Sequence, residues 1–131
     1  MSVETIGSAW APRLLSVLRI MTALLFLAHP TSKFLGFPMP MGNISIFSLF
    51  GVAGLIELVF GTLLAVGLFT RIAALILSGE MAFAYFIGHF PKSVFPLLNG
   101  GEPAVLFCFI FLYIAAAGPG PWSLDAMRER S

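Results

Sequence analysis

Between Tyr85 and Glu102 the chain reads YFIGHFPKSVFPLLNGGE, and His89, Lys92, Asn99 and Glu102 arrive there in quick succession amid otherwise apolar sequence. An imidazole, an ammonium, an amide and a carboxyl set among aromatic rings supply the donors and acceptors that hold an amphipathic head group. Tyr85 and His89 are i and i+4, so a helix presents them on one face. His29 and Lys33 close an earlier apolar run and are expected at the same boundary, with Tyr113 beneath them on the face of Glu102. Each residue also has a plainer use. A histidine caps or sits at an interface, a lysine snorkels, and a glutamate before a proline favours a helix N-terminus.

A second kind of chemistry lies inside the apolar runs, where Arg19, Glu57 and Glu80 stand well away from any turn. An ionised group at mid-bilayer costs on the order of 2.5 to 3.5 kcal/mol even on a lenient scale, so such residues face a bundle interior. At about 100° per residue, Arg19, Thr22, Phe26 and His29 fall within an arc of about 80°. Gly51, Gly54, Glu57, Gly61 and Ala65 share one face of a second helix, and small residues there let a neighbouring backbone approach. The simplest expectation is that Arg19 pairs with one of the two glutamates and fixes the register of the bundle. The other expectation counts charge. One arginine and two carboxylates leave a surplus negative charge, desolvation disfavours the ionised form of a lone carboxyl, and one glutamate then carries a proton. A carboxyl of that kind at mid-membrane is a candidate proton relay.

The elements that must position these groups follow from composition and periodicity. Of 131 residues, 59% are hydrophobic and 10% charged, against about 25% charged in soluble domains. At about 20 residues per span, the length allows four membrane-crossing helices. Expected spans cover residues 12 to 29, 48 to 68, 71 to 88 and 103 to 117, in one domain: an all-α membrane protein, an antiparallel four-transmembrane-helix bundle. Pro30 is expected to end or kink the first helix, with Phe34 and Phe37 of the following loop dipping into lipid. Thr70 is the expected N-cap of the third helix, and Trp122 sits where interfacial tryptophans sit. Arg13, Arg71, Arg128 and Arg130 fall on one side and Lys33 and Lys92 on the other. The positive-inside rule places both termini in the cytoplasm.

Several functions are disfavoured. A net charge of +1 without a basic run gives no nucleic-acid field. Cys108 is the only cysteine, so no internal disulfide or thiolate metal site forms. The two histidines lack ligand spacing within one helix, and no metal site is expected. A haem would need them on facing helices at matching depth. No phosphate loop or nucleotide fingerprint is present, and the first residues do not read as a signal peptide.

The stretches RLLSVLRIMTALLFLAH with Lys33 following, AGLIELVFGTLLAVGLFTR, MAFAYFIGHFPKSVFPLLNGGE and AAAGPGPWSLD resemble the DoxX family of small four-helix bacterial membrane proteins. The resemblance departs at HPTSK, where the family commonly has a glycine after the histidine. It implies a place in the inner (plasma) membrane of a bacterium and association with membrane oxidoreductases that pass electrons to quinone. The family's recurring polar positions correspond to Arg19, Lys33, Glu57, His89, Lys92, Asn99 and Glu102. On these grounds Glu57, Glu80 and His89 are the catalytic candidates. Arg19, His29, Lys33, Tyr85, His89, Lys92, Asn99 and Glu102 are the ligand-binding candidates. No intrinsic cofactor is expected beyond a bound quinone; the expected partners are the lipid bilayer, a membrane oxidoreductase and further copies of the chain. A solute or proton carrier and a structural assembly subunit are the alternatives.

Overall fold

Every regular element is a helix, because the apolar runs have the length and period of helices and a backbone in apolar solvent must satisfy its own hydrogen bonds. A computed structural model describes residues 2–130, and among them no strand forms. Helix α1 runs Val3–Leu35, capped by Ser2, whose hydroxyl accepts from the Thr5 N–H at 3.1 Å. At about 1.5 Å per residue it is about 50 Å long, well beyond a hydrocarbon core of about 30 Å. Its first turns, up to Arg13, are exposed throughout.

The sequence reading placed the end of this helix at Pro30, and the structure corrects it. Pro30 is buried inside α1, and the helix continues to Leu35. The Thr31 hydroxyl donates back to the Leu27 carbonyl at 3.0 Å, which supports the turn that proline interrupts. Prolines are tolerated in apolar helices when such side chains re-satisfy the backbone. The actual stop is Gly36, which takes a left-handed conformation (φ 70°) and donates its N–H to the Thr31 carbonyl. Phe34 consequently belongs to the helix and packs over Gly54, while Phe37 is exposed.

Helix α2 (Leu49–Val66) starts at Ser48, whose hydroxyl accepts from the Gly51 N–H, and stops at Gly67. Helix α3 (Thr70–Gly88) follows almost at once. A 3-10 turn (Phe90–Lys92) and the single-turn α4 (Pro96–Asn99) then lead to α5 (Glu102–Ala117), and α6 (Leu124–Arg130) closes the chain. Thr70 is not the N-cap of α3, because the preceding Phe69 holds that position without a side-chain bond. The Asp125 carboxylate does the work from the tail, accepting from the N–H groups of Phe69 at 2.9 Å and Thr70 at 3.0 Å.

Helix α1 packs on α2, α2 on α3 and α3 on α5, and α5 returns to touch α1. Between them lie Ala23, Phe26, Leu64, Leu77, Phe111 and Ile114, all fully buried. The outer surface is as apolar as the core: Leu25, Ile72, Phe83, Phe86 and Phe109 are all more than half exposed. An exterior of this kind has no place in water. Three helices are long and apolar enough to cross a membrane, and α5 is a shorter apolar helix.

Candidate functional site

The site begins with a groove made by glycine. Gly51, Gly54, Glu57 and Gly61 are buried on one face of α2, the face that the small-residue periodicity selects. A Cβ on Gly54 would stand 2.8 Å from the Phe34 ring and 3.0 Å from Lys33 Cδ. The lysine stem lies in the space that the missing side chain leaves. Its ammonium reaches Glu57 Oε1 at 2.9 Å, with both side chains only 5% exposed. It also donates to the Phe50 carbonyl at 3.3 Å and lies 3.9 Å from the centre of the Phe50 ring. An ammonium so enclosed keeps its charge only because an anion, a carbonyl and a π-face replace water.

Helix α3 brings Glu80 to the same place. Its carboxyl lies within side-chain hydrogen-bonding reach of Glu57 and feels the charge of Lys33. Glu80 Oε2 is sealed from solvent and accepts from no donor among the described residues. His29 stands one helical turn before Lys33 and is close enough to feel both Glu57 and Lys33. Its ring is exposed on one side and flanked by Phe26 and Phe107, with centroids at 5.9 and 6.0 Å. The geometry thus joins Lys33, Glu57, Glu80 and His29, which the sequence reading had divided between an outer boundary and an interior.

Arg19 is not part of this cluster, and its expected pairing with a glutamate is corrected. The guanidinium is 1% exposed and its contacts are carbonyls. Nε donates to Leu64 O at 2.9 Å, one terminal nitrogen to Trp122 O at 2.8 Å, and the other to Pro119 O. Ser16, one turn before it on α1, joins it by donating to Pro119 O and accepting from the Trp122 N–H at 3.1 Å. Arginine suits this post because its fork carries five donors and the end of a helix presents carbonyls without partners. Arg71 acts similarly, donating to the carbonyls of Ala115 and Ala116 at the end of α5. These contacts strap the tail across the ends of α1, α2, α3 and α5.

At the opposite end, Asn99 organises the polar stretch. It is 3% exposed. Its amide nitrogen donates to Tyr85 Oη at 3.1 Å and Ser93 O at 2.9 Å, and its Oδ1 accepts from the Gly101 N–H at 2.7 Å. His89 Nδ1 bonds the Asn99 carbonyl at 3.0 Å and its ring stacks on Tyr85. A Cβ on Gly101 would fall 2.7 Å from the Tyr85 ring, so only glycine allows this closeness. Tyr85, His89 and Asn99 therefore meet as a loop-fixing network. Lys92 and Glu102 lie exposed at its rim. Tyr113 does not lie beneath it but on the exposed surface, 61% accessible.

Sequence reasoning missed two contributors to the sites. The Phe50 carbonyl and ring carry no signal, since any residue supplies a carbonyl. Asp125 acts on a helix far away in the chain, and nothing local marks it. Among the described residues, no group of three His, Cys, Asp or Glu side chains could hold a metal.

An all-helical chain with a lipid-like exterior and a Lys33–Glu57 ion pair buried in its interior is a transmembrane protein. It belongs to the DoxX family, whose family model matches residues 14–90. A protein of Haemophilus influenzae, described as an uncharacterized protein, is 47% identical over 122 residues, covering 88% of this chain and 91% of its own. No solved structure matches the chain.

Proposed function

We propose that the chain is an antiparallel bundle of four spans in the bacterial inner membrane. In this reading it serves as a quinone-interacting accessory subunit of a membrane redox system. The Lys33–Glu57–Glu80 cluster, with His29 at its edge between two phenylalanine rings, is the observation that supports the reading. A quinone is an apolar ring with two carbonyl oxygens, and it carries electrons and protons together when bound. A site for it needs an aromatic wall, a donor for a carbonyl and a nearby group that exchanges protons. The part-exposed Phe107 beside His29 supplies the wall, His29 the donor and the carboxyl pair the proton exchange. His89 fits this role less well, because one ring nitrogen is committed to Asn99.

Orientation follows from the same reasoning as before, with a wider margin. Lys33 is drawn into the core, so Arg13, Arg71, Arg128 and Arg130 oppose Lys92 alone. That asymmetry supports cytoplasmic termini.

The reading is tested by titrating the purified protein in lipid nanodiscs with a short-chain ubiquinone analogue. Saturable binding is expected, weakened about tenfold in His29→Ala, which corresponds to about 1.4 kcal/mol. Absence of saturable binding in the wild type, or equal affinity in His29→Ala, overturns it.

A further inference from the structure

The interior cluster contains a mismatch of charge that its geometry makes specific. Three elements converge on it, with His29 and Lys33 from α1, Glu57 from α2 and Glu80 from α3. Helix α5 packs on α3 but adds no charge here; its Cys108 is engaged with Ser78, which donates to the Cys108 carbonyl at 2.8 Å and lies 3.5 Å from Sγ. Tyr85, nearer the end of α3, is taken up by Asn99. The cluster thus has one ammonium for two carboxyls. Lys33 is already committed to Glu57, the Phe50 carbonyl and the Phe50 ring. Glu80 faces Glu57 across a contact of hydrogen-bonding kind, yet two carboxylates are acceptors only and have no hydrogen to place between them. Its Oε2 is sealed off without a donor among the described residues. One proton between the two carboxyls provides the missing donor and brings the cluster to neutrality. A second would leave Lys33 without an anion in an apolar interior.

We propose that Glu57 and Glu80 form a binding site for a single proton, shared between the two carboxyls, with Lys33 as the fixed cation that keeps one of them ionised. The site takes a proton because a donor is what the two carboxyls lack, Glu80 Oε2 being buried without one among the described residues. Lys33 decides the stoichiometry and Glu57 decides where the ionised carboxyl sits. Removing the acidity of either glutamate leaves one carboxyl for one ammonium, and that carboxyl ionises. The inference rests on the membrane placement of the helices and stands without any quinone.

Infrared spectroscopy of the full chain in nanodiscs, with no quinone added, tests it through the carbonyl stretch of a protonated carboxyl. At neutral pH the wild type is expected to show one such band that shifts in D2O, and Glu4→Gln, at the exposed start of α1, retains it. Glu80→Gln loses the band. Glu57→Gln loses it as well, because Glu80 becomes the counter-ion of Lys33. Both variants are isosteric and uncharged, and circular dichroism with thermal unfolding confirms that they are folded. Lys33→Met, where it folds, roughly doubles the band area. Absence of the band in the wild type overturns the proposal. Survival of the band in Glu57→Gln does so too, because Glu80 would then be neutral through burial alone. A wild-type band that disappears when sodium replaces a bulky organic cation also overturns it, since the carboxyls would then be holding a metal ion. Failure of the quinone titration with the band intact removes only the quinone reading.

Discussion

Replacing Arg19 by methionine keeps a flexible stem and removes every donor, which isolates the strap across the helix ends. Three carbonyls lose a donor, those of Leu64, Pro119 and Trp122, but Leu64 O keeps the Gly67 N–H at 3.2 Å and Pro119 O keeps the Ser16 hydroxyl at 3.3 Å. A buried acceptor left unsatisfied costs about 1 to 3 kcal/mol. The three do not count equally. Leu64 is fully buried, while Pro119 is half-buried and Trp122 is 51% exposed, so water can reach their carbonyls in the variant. The desolvation of the guanidinium disappears with the side chain and offsets part of the loss. The net expectation is a destabilisation of about 1 to 2 kcal/mol, measured by reversible unfolding in mixed micelles. Limited proteolysis should cut the variant between residues 119 and 126 at conditions that spare the wild type. A double variant with Glu57→Gln separates the carbonyl contacts from an ion pair, because sites without shared partners add within about 0.3 to 0.5 kcal/mol. The reasoning is refuted if Arg19→Met unfolds within 0.5 kcal/mol of the wild type with its tail protected. It is also refuted if the two substitutions couple by more than about 1 kcal/mol.

Two further outcomes follow from the ends of the molecule. Burial pushes the Asp125 carboxyl up, but the N–H groups of Thr70 and Phe69 and the charge of Arg128 outweigh it and hold the group below its ordinary value of 3.8. A depressed value in the fold means that the cap stabilises fully above the unfolded value of about 3.9 and fades as pH falls through the folded one. Asp125→Asn should therefore cost about 1 kcal/mol at neutral pH and flatten the acid limb of the stability profile below about pH 4; an unchanged acid limb contradicts the cap. Asn99→Ala removes the bonds to Tyr85, Ser93 and Gly101, for a loss of about 2 to 3 kcal/mol. Hydrogen exchange should accelerate across residues 93 to 101 while the α3–α5 contact stays protected, and unchanged exchange there argues against Asn99 as the organiser.

How much of this was readable beforehand depends on the range of each interaction. The glycine face of α2 was legible because helical periodicity is local, and it led directly to Glu57 facing inward. The course of α1 was not, because Pro30 was given the weight it has in water. In an apolar medium the chain cannot leave the helix without stranding backbone groups, so Thr31 supports the turn and Gly36 becomes the stop. That single difference moves Lys33 from a loop to the helix, one turn beyond His29, and makes it the partner of Glu57. The Arg19 contacts were out of reach for a different reason. Their acceptors are backbone carbonyls 45 to 103 residues away, and a carbonyl leaves no mark in a sequence.

The correction at Arg19 also changes what the interior charges require. A count over the helices, once Lys33 is included, finds the cations Arg19 and Lys33 against Glu57 and Glu80 and makes the spans balanced. Position decides otherwise. Arg19 and Lys33 lie about 21 Å apart along α1 at about 1.5 Å per residue. At an effective dielectric of about 20, a charge at that distance contributes about 0.8 kcal/mol, against about 4 kcal/mol for one at 4 Å. Arg19 is moreover held by carbonyls at the far end of the bundle, where the negative ends of helix dipoles already accommodate it. It cannot act as counter-ion to either carboxyl. The Lys33 cluster is left with one cation for two acids, so spans whose charges balance on paper still need a proton at this one place.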